Sequence, residues 1–343
     1  MMFKKKLARN TSYYIDKNRI FIIFAVVFLI ATFAAPNFFN AFNLNSLLKT
    51  ANLYAMLAIG LSIVMICGQL DLSIQAVMNL GAVIALGMFT NNGLGWFLSF
   101  IIAILVGVAF GLFNGFLVAK GKINSFIATL GTMTIVQGLI FLYTKSGSIS
   151  VNGDYSFSDW LLTDKIPLLA PITIITIAMV VIFAIILGKT RFGRAFYMVG
   201  GNAETAWLAG IKKDRQLILA FTICGGLAAF AGALFAAGQG TAVPNMGDKG
   251  ISPLMVTIAS VIIGGVAMSG GKGTVVKSYF AVLTLMTLFN MLSCFGTGYE
   301  AQVFASGIVL AAVVLYESIS QYMQDKVKGI RLPLLRQVKE LKK

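Results

Sequence analysis

Few residues in this chain could do chemistry, and their types narrow what that chemistry is. Asp71 stands in Gly68-Gln69-Leu70-Asp71-Leu72-Ser73, between two apolar runs and without a polar loop around it. A carboxylate inside a membrane region is costly and marks a functional position by default. At a helix break, Asp71 or Ser73 can accept hydrogen bonds from the free amides of the next turn, as an N-cap. The same group can border a transport path, and the two roles are compatible. Asn79, Asn114, Gln137 and Asn290 lie within other apolar stretches, with several Ser and Thr. In a bilayer they must face neighbouring helices or a cavity, because lipid leaves amides unsatisfied. Such neutral groups suit interhelical contacts or a path for uncharged, hydroxyl-rich molecules. The pathway candidates are therefore Asp71, Ser73, Asn79, Asn114 and Asn290.

Other chemistries are excluded by composition. The chain has no histidine, which removes His-ligated metals, His general bases and catalytic triads. Cys67, Cys224 and Cys294 are scattered through apolar segments without a CxxC pair, so buried thiols are expected and no metal site. A proton relay needs further intramembrane carboxylates, yet Glu300 and Glu317 fall at helix ends. The run Gly264-Gly265-Val266-Ala267-Met268-Ser269-Gly270-Gly271-Lys272-Gly273-Thr274 resembles a phosphate loop only superficially. Val266 takes the place of its first glycine and Gly273 that of the hydroxyl residue after the lysine. No catalytic residue and no nucleotide site are expected, so energy for active transport comes from a gradient or a separate subunit.

The elements that must carry these residues are membrane helices. Of 343 residues, 58% are hydrophobic and 11% charged, against about 25% charged in a soluble domain. The fold class is an all-α integral membrane protein. Apolar runs predict ten transmembrane helices near 20–39, 51–68, 72–90, 96–118, 125–143, 171–188, 216–238, 253–268, 274–293 and 301–319. Segments 72–90 and 253–268 are short enough to be broken or re-entrant. With the N-terminus inside, 23 Lys and Arg fall on cytoplasmic segments and four outside, namely Lys49, Lys145, Lys165 and Lys249. That asymmetry places both termini in the cytoplasm and makes the net charge of +15 an orientation signal rather than a nucleic-acid footprint. The apolar run after the basic start lacks a small-x-small cleavage site and reads as a retained first span.

This gives a basic N-terminal segment 1–19, a transmembrane domain 20–319 and a basic amphipathic tail 320–343 suited to contact with lipid. Two hydrophilic stretches interrupt the domain, an outer loop 146–165 and an inner segment 189–215. Within the latter, Gly201-Asn202-Ala203-Glu204-Thr205-Ala206-Trp207-Leu208-Ala209-Gly210-Ile211 predicts a helix of about two turns, with Asn202 as N-cap, Glu204 in the first turn and Gly210 as C-cap. Small residues around one large apolar side chain, Trp207, form either a plug for a groove on a cytoplasmic partner or a helix resting on lipid. Gly107, Gly111 and Gly115 share one helix face and predict close helix approach.

Five stretches in order resemble the membrane permease subunits of ATP-binding-cassette importers of the ribose, xylose, galactose and autoinducer-2 class. They are Phe39–Leu44, Gly68–Ser73 (similar to G-x-I-D-L-S), Ser125–Met133 (S-F-I-A-T-L-G-T-M), Thr190–Ile211 and Ile263–Gly273. The resemblance implies a non-catalytic subunit of an importer in the bacterial inner membrane. A partner ATPase with tandem nucleotide-binding domains would bind ATP and Mg. A periplasmic or lipid-anchored solute-binding protein would deliver a sugar-like solute, and a second permease, identical or paralogous, would complete the pathway. Nucleosides or branched-chain amino acids are the alternative solutes. Gly201, Asn202, Ala203, Glu204, Ala206, Trp207, Gly210 and Ile211 then become the coupling helix that docks on the ATPase. A gradient-driven carrier is the rival reading, and only Asp71 could serve its ion.

The chain departs from that pattern in four places. Ile74-Gln75-Ala76 stands for V-G-S, Trp207 for a frequent arginine and Asn124 for a proline. Ser252-Pro253-Leu254-Met255 replaces an acidic-apolar run.

Overall fold

The computed structural model describes residues 2–153, 155–164, 169–245, 252–298, 300–308, 311–312 and 315, with side chains from Asn18 onward. The first half comprises α1 (Met2–Ala34), α2 (Ala41–Ile66), α3 (Ile74–Thr90), α4 (Trp96–Ala119) and α5 (Ser125–Thr144). Strand β1 (Ile149–Ser150) and helix α6 (Ser156–Leu162) follow, then α7 (Pro171–Lys189), α8 (Arg191–Gly201) and α9 (Ala203–Leu208). The remainder is α10 (Lys213–Gln239), β2 (Thr241–Ala242), α11 (Pro253–Ile263) and α12 (Val275–Cys294), and residues 301–308 are helical. Six helices, α2, α4, α5, α7, α10 and α12, are long and apolar enough to cross a membrane. Helices α3 and α11 are apolar but shorter.

Local signals set most boundaries. Asn40 and Asn124 cap α2 and α5 by accepting the Phe42 and Phe126 amides at 2.9 Å. Pro171 and Pro253 open α7 and α11, where a missing N–H costs nothing. Helices α2 and α11 end alike. Gly68 and Gly265 take φ of +74° and +84°, and the amides of Gln69 and Val266 reach back to the carbonyls of Val64 and Val261 at 3.2 and 3.1 Å.

Helix α10 occupies the centre, packed on α4, α3 and α2. The glycine face of α4 makes this possible: a Cβ on Gly107 or Gly111 would run into the Gly225 or Phe221 carbonyl, and one on Gly115 would lie 2.7 Å from Ile218 Cα. Large apolar side chains on the outer faces of α4, α5 and α7, such as Phe97, Ile127, Leu142 and Val181, are exposed and need lipid or another subunit to cover them. At the end of the bundle carrying α6, Trp96 stacks on Phe89 at 3.9 Å and on Phe157 at 4.9 Å, a cluster suited to a membrane–water interface. Helices α8 and α9 lie at the opposite end of α10.

Several expected boundaries move. The segment 1–19 is not separate from the first span, because Met2–Ala34 contains no Gly or Pro and runs as one helix that stops before Pro36. The span expected from 51 begins at Ala41. Its polar first turns are absorbed by partners: Asn43 exchanges amide hydrogen bonds with Asn290 at 2.7 and 2.9 Å, Asn45 donates to Asp164, and Lys49 pairs with Asp164 at 3.9 Å. Helix α11 closes at Gly264-Gly265, well before 268. The stretch 146–165 is not a plain loop, since it holds α6 and β1, which pairs antiparallel with β2 through Ile149–Ala242 and Ser150–Thr241. The tail 320–343 lies outside the described residues, as do Asp154, Lys165 and Lys249.

Candidate functional site

Segment 189–215 folds first as two successive helices, α8 and α9, before α10 begins. Thr190 caps α8 by accepting the Gly193 amide at 3.0 Å, and Asn202 caps α9 by accepting the Thr205 amide at 2.9 Å. Glu204 sits in the first turn of α9, where the helix dipole favours an acid. Gly210, at φ +76°, closes it: the Gly210 amide bonds to Trp207 O at 2.8 Å and the Ile211 amide to Ala206 O at 2.9 Å. The expected two-turn helix is thus the six residues of α9, with Gly201 belonging to α8. Ala206 is buried beneath it, while Trp207 and Leu208 are 73% and 78% exposed. Beside Trp207 runs a groove of about 480 Å³ rimmed by Lys120, Lys212, Lys213, Asp214 and Arg215. Lys120 and Asp214 are 2.9 Å apart but well exposed, so their pair contributes little stability.

Glycines tie this corner to the membrane core. A Cβ on Gly200 would strike the Ile66 carbonyl, at the last turn of α2, and lie 2.8 Å from the Gly271 amide. That amide donates to Ile66 O at 2.8 Å. A Cβ on Gly270 would lie 2.7 Å from Gly200 O and 2.8 Å from Gly68 N. The Tyr197 hydroxyl donates to Gly273 O at 3.0 Å. Burial pushes its pKa up and keeps it a donor. The Ile263–Gly273 stretch is therefore a structural joint between α8, α2 and α11.

Immediately beyond Gly68 lies a buried polar network. Asp71 Oδ1 accepts the Ser73 amide at 2.9 Å and the Ser73 hydroxyl at 2.6 Å. Ser73 Oγ accepts from Asn114 Nδ2 at 2.8 Å, and Thr132 donates to Asn114 Oδ1 at 2.6 Å. The Leu72 amide reaches Thr129 Oγ1 at 3.0 Å, and the Leu70 amide reaches Ser125 Oγ at 3.3 Å. Ser73 makes no side-chain cap on α3, because its hydroxyl serves Asp71 and Asn114 instead.

Of the five pathway candidates, the structure joins Asp71, Ser73 and Asn114 in this network, with Asn79 buried elsewhere on α3. Asn290 stands apart on α12, paired with Asn43 and lining a small cavity of about 170 Å³ with Tyr54 and Gln302. Sequence reasoning missed Ser125, Thr129 and Thr132 as partners of the Asp71 element. Their spacing of four and then three residues puts them on one helix face, a signal available in the sequence.

The family described as branched-chain amino acid transport system / permease component matches residues 43–315. The ribose import permease protein of Bacillus subtilis (strain 168) is 32% identical over 293 residues, covering 85% of this chain and 89% of the relative. The autoinducer 2 import system permease protein of Yersinia enterocolitica is 34% identical over 281 residues, covering 82% and 76%. No solved structure matches the chain. With most of its length inside one family and relatives above 30% identity, the chain belongs to the permease components of that transport family.

Proposed function

We propose that this chain is the translocation subunit of an ATP-driven, binding-protein-dependent importer for an uncharged, sugar-like solute. The observation that carries the reading is α9: a capped, six-residue helix outside the six spans that holds Trp207 and Leu208 open to contact while a glycine joint fixes its base to α2. Exposed aromatic anchors of this kind mark protein-docking surfaces. The relatives' names, a ribose importer and an autoinducer 2 importer, support the solute class. The family description supports branched-chain amino acids as the second reading.

Ten crossings are the finer reading: the six long helices, α1, α3, a stretch in which α11 covers about half of the thickness, and a last helix beginning near 301. Both termini face the cytoplasm, from the Lys and Arg asymmetry, in a bacterial inner membrane. The partners are an ATPase with tandem nucleotide-binding domains, which binds ATP and Mg and does the hydrolysis, an extracytoplasmic solute-binding protein and a second permease, same or paralogous. Asp71, Ser73 and Asn114 transmit motion at the inner end of the pathway, beside the joint.

Affinity purification of the tagged chain in mild detergent, with mass spectrometry of what accompanies it, tests this. A tandem-domain ATPase in the eluate is expected, and a second permease sequence would mark a heterodimer. Elution alone, where related complexes survive, would instead favour a gradient-driven carrier.

A further inference from the structure

A cleft of about 570 Å³ opens between α3, α5 and α11, away from the Asp71 network. The described residues that line it carry no charge: Gln75, Thr134, Gln137 and Ser252 supply polar groups, and Met133, Met255 and Phe141 supply apolar ones. Its volume falls within the range of small-molecule sites, and its make-up, mostly apolar with a few converging polar groups, is what such sites use.

Two glutamines hold its third wall. Gln75 Oε1 accepts the Ser252 hydroxyl at 2.7 Å and the Leu254 amide at 3.0 Å, the latter a first-turn amide of α11 with no partner inside its helix. From α5, Gln137 Nε2 donates to Pro244 O at 3.0 Å. The chain is therefore held at Pro244, after α10, and at Ser252, before α11, by the two helices that face it across the cleft. Helix α11 has 11 residues, a rise of about 16 Å, which is half of a bilayer's hydrocarbon thickness. Interrupted helices with irregular backbone at membrane depth are tolerated where they are buried in protein or line a water-filled cavity. All four polar side chains are bonded within the protein, Thr134 to Leu130 O at 3.2 Å, and their remaining capacity, gathered on one open cleft beside an interrupted helix, suits water and solute.

We propose that this cleft is the solute-facing wall of the passage, selective for uncharged molecules, and that Gln75 is a positioning residue that holds the end of α11 against it. The proposal rests on the importer reading and deepens it. Solute passes along α3 and α5, and α11 moves as the cycle proceeds, with Gln75 releasing or regripping Ser252 and Leu254.

The test needs no knowledge of the solute. Single-cysteine variants Thr134→Cys and Met255→Cys, with Ile135→Cys on the outer face of α5 as the lipid-facing reference, are made with Cys294→Ser. Cys67 and Cys224 are buried. Membrane vesicles carrying the chain with its co-purifying partners are treated with two water-soluble methanethiosulfonates, one bearing a trimethylammonium group and one a sulfonate. The thiolate, which forms in water and is suppressed in lipid, attacks the sulfur of such reagents and expels methanesulfinate as the mixed disulfide forms. The two cleft cysteines should react about tenfold faster than Ile135→Cys, with little preference between cation and anion because the described lining residues carry no charge to steer either. Rates equal to Ile135→Cys would overturn the passage, and a strong preference for one charge would overturn its neutrality.

The rate at Met255→Cys should change about threefold or more when ATP and vanadate trap the ATPase. Adding Gln75→Leu should abolish that change, and Gln75→Glu, which keeps an oxygen acceptor, should restore it. An unaltered response in Gln75→Leu would remove Gln75 from the mechanism. Absence of an ATPase partner from the wild-type preparation would sink the importer reading, while the labelling contrast would still decide the cleft.

Discussion

Gly271 donates its backbone amide to the carbonyl of Ile66 at 2.8 Å, and Gly200 lies against both atoms. The base of the α8–α9 corner is thus in backbone contact with the last turn of α2, leaving no side chain between them to absorb a displacement. A methyl at Gly200 would have to push this joint apart, whereas one at Gly201 would meet Gly271 Cα at an ordinary 3.8 Å. Gly200→Ala should therefore leave ATP hydrolysis by the complex intact while uptake falls by about 5- to 150-fold, the usual span of a coupling free energy. Gly201→Ala should behave as wild type. Parallel ATPase and uptake assays in proteoliposomes read both, and equal loss in the two variants would refute the joint.

Trp207 is the second site with a sharp expectation. It is 73% exposed, and its helix is held by Asn202 and Gly210 rather than by the indole. Trp207→Ala should leave the protein inserted and as thermostable as wild type. Loss of an aromatic interface anchor costs about 2–4 kcal/mol, roughly a 30- to 1,000-fold weaker association with the ATPase. Gly210→Pro should give the same loss by another route, since proline cannot adopt the +76° φ at which α9 closes. Binding of the purified ATPase to each variant in nanodiscs measures it.

How much of this was legible beforehand follows from the range of the forces involved. Caps and stops act within a few residues, so Asn202, Glu204 and Gly210 are readable as they stand. The spacing of Gly107, Gly111 and Gly115 likewise announces a close contact, though not that α10 supplies the other face. Long-range pairings are invisible to periodicity: Asn43 with Asn290, Gln75 with Ser252, and Ser125, Thr129 and Thr132 around residues 70–73. Each of these moved a boundary or a role. Polar first turns hide the start of α2, and Ser73, with Asp71 one of two cap candidates, spends its hydroxyl on Asp71 and Asn114 instead. Two of the stretches that depart from the resembling pattern, at Gln75 and at Ser252–Met255, are bonded to each other, which sequence spacing cannot reveal.

Asn114 tests whether the network stabilises the bundle. Its amide donates to Ser73 and accepts from Thr132, all three buried. Asn114→Ala removes one bond from each partner, though Ser73 still donates to Asp71 and Thr132 to Ala128 O, and opens a void. Each lost bond costs about 0.5–1.5 kcal/mol and the void adds to that, so the thermal midpoint in detergent should fall by several degrees. Thr132→Val removes only one donor and should cost less. A larger drop for Thr132→Val than for Asn114→Ala would place the centre of the network elsewhere.

The helix glycines offer a last discrimination, between those that permit contact and those that merely lie in a helix. A Cβ on Gly111 would drive into the Phe221 carbonyl of α10, and the Phe221 backbone cannot rotate away as a side chain would. At Gly131, on the exposed side of α5, a Cβ meets no atom within 4 Å. Alanine in a helix interior is favoured over glycine by about 0.8–1.0 kcal/mol. Gly131→Ala should therefore be neutral or raise the thermal midpoint slightly. Gly111→Ala must separate α4 from α10 along the face that Gly107 and Gly115 also share, and overpacking of this kind costs about 1–3 kcal/mol. Its midpoint should fall, and Gly111→Leu should prevent accumulation of folded protein. If Gly131→Ala were the more damaging of the two alanine changes, the exposed face of α5 would have to be packed against another subunit in the assembled complex, and the alternate faces of α4 and α5 would exchange their assigned roles.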